Sequence, residues 1–298
     1  NLSNISTTGY TRQQVLQGNR TYNTVGYSYN NASQVGLGVS YTDVRSIRDY
    51  FLDQAYRTEN GRSEYYSTSY SAISEVETYF GETEGTAFQT ALQDLTTTIE
   101  ELKKDPSNAT NQGLLVSKAA TFLERSQAVY DGLAEYQDNL NDQVKGEIED
   151  INTYGQKIYD LNQQIKKIET GGIEDANDLR DARNELLDKL SGLAKISYSE
   201  DSTGVVTVQI EGVDFVTDDY VNQMGYTTDA ATGFYTPTWP RLKDQSVFSS
   251  TEEISSDLGT DIGSLKALVN ARGTKRATFE DLDGTLNADG ETNYEKKI

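Results

Sequence analysis

The side chains that could do chemistry in this sequence are carboxylates, amines, guanidinium groups and hydroxyls, because its 298 residues contain no cysteine and no histidine. Without cysteine there is no disulfide, thiolate metal site or thiol nucleophile. Without histidine the group most used as acid or base near neutral pH is missing, and with it the triads built around it. Carboxylate clusters are what remain. Asp281-Leu282-Asp283-Gly284 through Glu291 has the composition of a calcium loop. Its glycine and closing glutamate both come too early for an EF-hand, so a solvated loop is expected. Glu100-Glu101 and the group Glu147, Glu149 and Asp150 fall on wet helix faces, where like charges are common. No pocket-forming sequence surrounds any carboxylate pair of the glycosidase type. The expectation is no enzyme, no metal and no cofactor.

The other reactive-looking groups also have plain packing roles. Tyr65, Tyr66 and Tyr70 stand at helical spacing, where tyrosines more often pack than bind glycans. Lys103-Lys104 and Lys166-Lys167 sit near expected helix ends, where cations are favourable. Arg183 is expected in an exposed or interhelical ion pair with Asp178, Asp181 or Glu185, worth less than about 1 kcal/mol if exposed.

The element that must position everything else runs from about Pro106 to Gly171. Leu115, Ala119, Phe122, Val129, Leu133, Tyr136, Leu140, Val144, Ile148, Ile151, Tyr154, Ile158, Leu161, Ile165 and Ile168 recur at steps of three or four, interrupted only at Ser126. That is a coiled-coil seam on a helix roughly 90–100 Å long. One heptad frame holds from Leu115 to Leu140, and another, displaced by four residues, from Ile151 to Ile168. Such a stutter locally unwinds a supercoil. We expect a rod of two packed segments, with partners changing near Gly146.

Around it, residues 42–80 read as a helix with a stripe at Val44, Ile47, Phe51, Tyr65, Ile73, Val76 and Phe80, weakened by Gly61. Phe88, Leu92, Leu95, Ile99 and Leu102 make a short heptad helix that closes before Pro106. Leu179, Leu186, Leu190 and Leu193 give a further amphipathic helix over 175–195. After Lys195 the period changes to two: residues 196–199 and 205–210 read as a hairpin, and residues 213–216 as a further strand. Pro237 and Pro240 argue that residues around 237–240 form an edge or a connection. The fold class is therefore α+β, mainly α: an elongated antiparallel helical bundle or coiled-coil rod with a smaller β-hairpin-rich element at one end. Three divisions are expected: an arm over 1–40, a helical rod over 41–195, and a β-rich element with the start of a return segment over 196–298. The expected bundle core is Leu92, Leu95, Ile99, Phe122, Leu133, Leu140, Ile151, Ile158, Leu161, Ile165, Leu179, Leu186 and Leu190.

Composition limits the partners. With 47 acidic and 26 basic residues the net charge is −21, which disfavours nucleic acid and anionic membrane surfaces. No run of about 18 apolar residues is present to span a bilayer.

The order of residues in the arm carries more than its composition. Asn4-Ile5-Ser6-Thr7-Thr8-Gly9-Tyr10-Thr11-Arg12-Gln13 resembles the N-terminal signature of flagellar rod, hook and hook-associated proteins. Gly36-Leu37-Gly38-Val39, followed by Arg48-Asp49-Tyr50-Phe51-Leu52, resembles the corresponding segment of the hook-associated family that forms the first hook–filament junction. Ala176 to Leu187 and Ile262 to Arg272 resemble later blocks of that family, in the same order. The resemblance covers most of these residues but only the N-terminal half or so of a full family member.

It implies a structural subunit of the bacterial flagellum that self-assembles into a ring. The implied neighbours are the hook protein and the next junction protein. The implied route is export through the flagellar channel without a cleaved signal peptide, aided by a chaperone that binds a C-terminal segment. It implies axial contact roles for Asn4, Gly9, Tyr10, Arg12, Gln13, Gly36, Gly38, Arg48, Asp49 and Phe51. A surface adhesin with a helical stalk is the alternative, and a carboxylate hydrolase ranks third.

Overall fold

A computed structural model describes residues 9–21, 23–28, 31–46, 48–81, 88–171, 175–249 and 252–276. Four strands open the chain: β1 (Gln13–Asn19), β2 (Asn23–Ser28), β3 (Asn31–Val35) and β4 (Val39–Ser46). β1 pairs antiparallel with β4, with a register shift at Leu16/Gln17, and β2 pairs with β3, so the arm is a long two-stranded ribbon. The helix expected from Thr42 starts at Tyr50 instead. Asp49 sets that start, its Oδ1 accepting from the Phe51 and Leu52 backbone N–H groups at 2.9 and 3.3 Å.

Helix α1 (Tyr50–Gly81) buries only Tyr65 of the stripe its large residues suggest. Phe51, Ile73, Val76 and Phe80 are exposed, whereas Arg57, Gly61, Tyr65 and Ala72 are buried. The reason is close approach. A Cβ on Gly61 would stand 2.5 Å from the Ser191 carbonyl oxygen and 2.6 Å from Ile262 Cγ2, and the Gly61 carbonyl accepts from Gly263 N at 2.9 Å. Small residues let the backbones touch where large ones would hold them apart.

Helix α2 (Phe88–Lys104) folds back along α3 (Ala109–Glu169). It rests on Ala91, Leu95 and Thr98, helped by Phe88 against Phe122 (ring centroids 5.6 Å) and by Lys118 Nζ–Asp94 Oδ2 at 2.6 Å. This corrects the expected core: Leu92 is 44% and Ile99 51% exposed, because a two-helix hairpin covers only one edge of each member.

Helix α3 is 61 residues, about 90 Å long, and begins at Asn108, whose side chain accepts from Thr110 N and Asn111 N. It is unbroken at Gly146. What changes there is the helix partner. Gln137 bonds the Arg272 carbonyl and Glu147 meets Ser264, both from α5 (Ser264–Arg272). Further along, Asn162 and Glu169 meet Arg183 and Arg180 of α4 (Asn177–Leu193). The β unit lies on both sides of Gly146, bonding Asn141 as well as Asn152 and Asn162. The joint expected in the rod is thus a change of helix partner only.

The β unit comprises β5 (Ile196–Glu200), β6 (Val206–Ile210) and β7 (Val213–Val216) in one antiparallel meander. A second sheet runs in the order β10 (Gln245–Ser246), β9 (Tyr235–Trp239), β8 (Gly225–Thr228). Strand β9, with Pro237 in it, is therefore central, contrary to expectation. Proline is tolerated because β10 is only two residues long, and the Pro237 carbonyl already takes the Val247 N–H at 3.0 Å. One core crosses from helices to sheets: Val144, Ile148, Ile151, Ile158, Leu187, Leu190, Val208, Phe215, Trp239 and Leu265 are all in it. Phe215 fills a notch at Gly155, where an added methyl group would collide with its ring.

Candidate functional site

Two places hold functional interest: the root of the arm, where sequence motifs converge, and the exposed faces of the rod. At the root, Gly9 has φ +79°, and a Cβ there would press on Glu185 of α4 at 3.3–3.4 Å, so glycine suits both the turn and the approach. Thr11 N donates to Asp181 Oδ2 at 3.0 Å, and Asn177 Nδ2 donates to the Val44 carbonyl at 2.6 Å. Arg48 bonds Asp53, reaches Thr11 Oγ1 at 3.5 Å and lies 3.9 Å from Asp188. Arg57 is buried beneath them. Its Nε donates to Asp188 Oδ1 at 2.7 Å and its guanidinium lies 4.4 Å from the centroid of the Tyr198 ring. Tyr50 closes the node, its ring against Tyr198 and its hydroxyl on the Tyr198 carbonyl at 2.9 Å. A cleft of about 230 Å³ remains here, lined by Ser46, Arg48, Asp53, Arg180 and Tyr198.

The structure therefore brings Gly9, Arg48 and Asp49 to one junction of ribbon, α1 and α4. Tyr10 and Gln13 are half-buried beside it, and Arg12 is exposed. Phe51, 80% exposed, stands beside Tyr50 (ring centroids 6.2 Å) on the outside. Gly36 and Gly38 lie midway along the ribbon, between β3 and β4, where Gly38 (φ +79°) accepts through its carbonyl from Arg20 N at 2.9 Å. Asn4 lies outside the described residues, as does the acidic loop at 281–291. Among the described residues no group of three or more metal-ligating side chains gathers, and no helix is long and apolar enough to cross a membrane.

Of the expected core, Leu140, Ile151, Ile158, Ile165 and Leu190 are buried, and Leu95, Phe122, Leu133, Leu161, Leu179 and Leu186 are half-buried. On α4 it is Leu187, next to Leu186, that is fully buried. Arg183 is the larger correction. It is 1% exposed and avoids the partners expected for it, donating instead to Asn162 Oδ1 (2.9 Å), the Gly204 carbonyl (2.5 Å) and Glu200 Oε2 (3.0 Å). Burial pushes its pKa down to about 10. Beside it Arg180 grips Glu169 with two bonds of 2.7 Å and also reaches Glu200, and the first of these pairings holds the Glu169 carboxyl below the usual range.

Sequence periodicity also missed three asparagines on α3. Asn162 takes the Val206 N–H (3.1 Å) and gives to the Val206 carbonyl (2.8 Å). Asn152 does the same to Met224, both at 2.8 Å. Asn141 takes the Tyr235 N–H (2.7 Å) and an Arg272 guanidinium bond (2.8 Å), and gives to the Gly233 carbonyl at 3.3 Å. Each acts as one rung of a β-ladder supplied by a helix. Their separations of 11 and 10 residues are three helical turns, which is the signal that could have found them.

The same molecule exposes apolar side chains in rows. Along α1, Leu52, Tyr56, Tyr66, Tyr70, Ile73 and Phe80 lie outward at heptad-compatible spacing. Leu92 and Ile99 on α2 and Val116 and Leu123 on α3 add two shorter rows, each pair seven residues apart. A long stiff helix with an enclosed core at one end and exposed apolar rows along its partner helices has the build of a structural subunit rather than a pocket protein. The comparisons with known proteins agree. The profile of the flagellar hook-associated protein FlgK helical domain matches residues 73–289, and the chain belongs to that family. A Flagellar hook-associated protein 1 of Bacillus subtilis is 31% identical over 206 residues, 68% of this chain and 40% of that protein. Its counterpart in Escherichia coli is 23% identical over 70% of this chain and 37% of that one. The solved structure of the flagellar hook junction protein FlgK from Burkholderia pseudomallei superposes with a TM-score of 0.56 at 19% identity, covering 74% of this chain and 38% of that one. The chain thus spans about two fifths of the length of the relatives it matches. Family membership gives it a structural role in the flagellum.

Proposed function

We propose that this chain is the arm and rod portion of a subunit that joins the flagellar hook to the filament by assembling with copies of itself into a ring. The observation that carries the proposal is the contrast between the sealed α3–α4–β core and the apolar rows on α1, α2 and the start of α3. Exposed apolar side chains aligned in rows, rather than scattered singly, are what a docking face presents. The B. subtilis and E. coli relatives are named Flagellar hook-associated protein 1, which supports the same reading. In this reading residues 1–40 are an axial arm, 41–195 the load-bearing rod and 196–298 an outer β-rich element. Gly9, Tyr10, Arg12, Gln13, Gly36, Gly38, Arg48, Asp49 and Phe51, with Asn4, serve axial contacts. Its neighbours are the hook protein and the next junction protein, and it works outside the cell after passage through the flagellar export apparatus with a chaperone. It performs no catalysis.

The test is binding of the purified protein, carrying the further length its relatives have, to isolated hooks. Capping visible by electron microscopy is the expected result. Absence of hook binding by that protein would overturn the assignment.

A further inference from the structure

We propose that the ribbon of one molecule docks, through its basic charges, on the acidic outer face of α3 in a second copy; this rests on the self-assembly reading above and names the partner surface. Charge is distributed unevenly along the chain. Residues 1–48 contain Arg12, Arg20, Arg45 and Arg48 against a single acid, Asp43. That is a net +3, which leaves −24 on the remainder of a chain whose total is −21. Arg12 and Arg20 are exposed, and so are the apolar Val15, Val39 and Tyr41 between and beside them. The bonds described between ribbon and rod are at its root, through Thr11, Val44 and Arg48. A two-stranded ribbon is marginal by itself and gains most from a further surface to lie on.

The complementary surface is a single stripe. Glu124, Asp131, Glu135, Asp138, Asp142, Glu149 and Asp160 are all exposed. At 100° per residue they fall within about 40° of one line down α3, over roughly 54 Å. Within it Asp138 is paired with Arg276. The buried Ile151, Ile158 and Ile165, which face α4 and the β unit, lie on the opposite side of the same helix. The arm is rooted on α4, so the stripe of its own molecule is turned away from it, and the arm meets such a stripe on a second copy. The contact is heterologous, arm to rod, which repeats from copy to copy and closes into a ring when the rotation allows.

Two charge-reversed forms test it in trans. In one, Arg12→Glu and Arg20→Glu invert the arm. In the other, Glu135→Lys, Asp142→Lys and Glu149→Lys invert the stripe. All five positions are exposed, and unchanged circular dichroism and melting confirm folding. Each form alone is expected to sediment as a monomer under conditions where the two mixed associate at least tenfold more tightly, with that association lost in about 0.5 M salt, where screening reaches a few ångströms. A mixture that sediments as the sum of its parts overturns the pairing. So does an arm-inverted form that self-associates as well as the unaltered chain. Neither outcome touches hook capping, so the failure of this pairing is distinguishable from failure of the assembly reading.

Discussion

The two ends of α3 are covered in different ways. From Val144 to Ile165 its inward face is fully enclosed by α4, α5 and two small sheets, with asparagine side chains completing the ladders. From Leu115 to Leu133 it is met by α2 and by the end of α1, where Tyr79 packs on Gly132, and its residues are mostly half-buried while α2 carries Leu92 and Ile99 on the outside. The difference is one of commitment. One end is specified by polar contacts that permit a single register, and the other offers apolar rows whose geometry tolerates a partner.

The largest effect that would break this comparison is at Arg183. Replacing it with alanine leaves the Asn162 Oδ1 and the Gly204 carbonyl without their guanidinium donor and opens a cavity, while Glu200 keeps Arg180. Losing those buried bonds and that packing is expected to cost about 2–4 kcal/mol, read as a lower urea midpoint. A loss under about 1 kcal/mol would mean that water replaces the guanidinium and that the enclosed end is not dry. Next comes Gly155→Ala, which drives a methyl group into the Phe215 ring. Overpacking of that kind is expected to cost about 1–3 kcal/mol, with the near-ultraviolet signal of Trp239, 6.2 Å from Phe215, changing alongside. The same change at Gly146, where a Cβ meets nothing within 4 Å, is expected to be neutral or stabilising, by up to about 1 kcal/mol.

How much of this was legible follows the same division. The seam of α3 and its extent could be read from period alone, because a buried face on a long helix leaves a regular mark. The hairpin from Ile196 to Ile210 was equally readable, its turn closed by Asp201 Oδ1 accepting from the Thr203 and Val205 N–H groups. Period could not say that Leu92 and Ile99 would be uncovered, since an apolar row looks the same whether its partner lies in the chain or outside it. Nor does a polar residue beside a seam reveal that it bonds a distant strand: Asn141, Asn152 and Asn162 read as ordinary polar positions of a helix until Tyr235, Met224 and Val206 are placed against them. Arg183 misled because an arginine among Asp178, Asp181 and Glu185 satisfies a local rule, while the actual partners come from residues 162, 200 and 204. At the arm root Gly9, Arg48 and Asp49 of the motif residues come together, and the side chains that hold the ribbon there, Asp181, Asn177 and Asp188, follow only from the fold.

Glu147 sharpens the boundary between the two regimes. It sits against the start of α5, before α3 reaches the polar contacts of α4. Burial raises its pKa to about 7, opposed by the Ser264 hydroxyl at 2.9 Å and reinforced by Asp150 and Glu64. A carboxyl whose folded pKa lies above its unfolded value binds more protons in the native state between those values. Stability therefore falls as pH rises from about 4.5 to about 7, by an amount of order 1–3 kcal/mol. Glu147→Gln is expected to remove that slope and to raise the urea midpoint at pH 8 while leaving it nearly unchanged at pH 4. Parallel pH profiles for the two proteins would show the carboxyl to be hydrated and the joint open to solvent.

The smallest effect on stability is expected where the surface is apolar but uncovered. Leu92→Ser and Ile99→Ser are expected to cost the isolated chain about 1 kcal/mol or less each, because roughly half of each side chain is already in water in the folded state. If the row is a docking face, the same pair should weaken hook capping by the longer protein far more than it changes melting. A large stability loss would instead place these residues in a core that α2 already completes within one molecule. The two readouts separate the alternatives because burial within a chain and burial between chains draw on the same side chains but on different equilibria, and only the second depends on concentration.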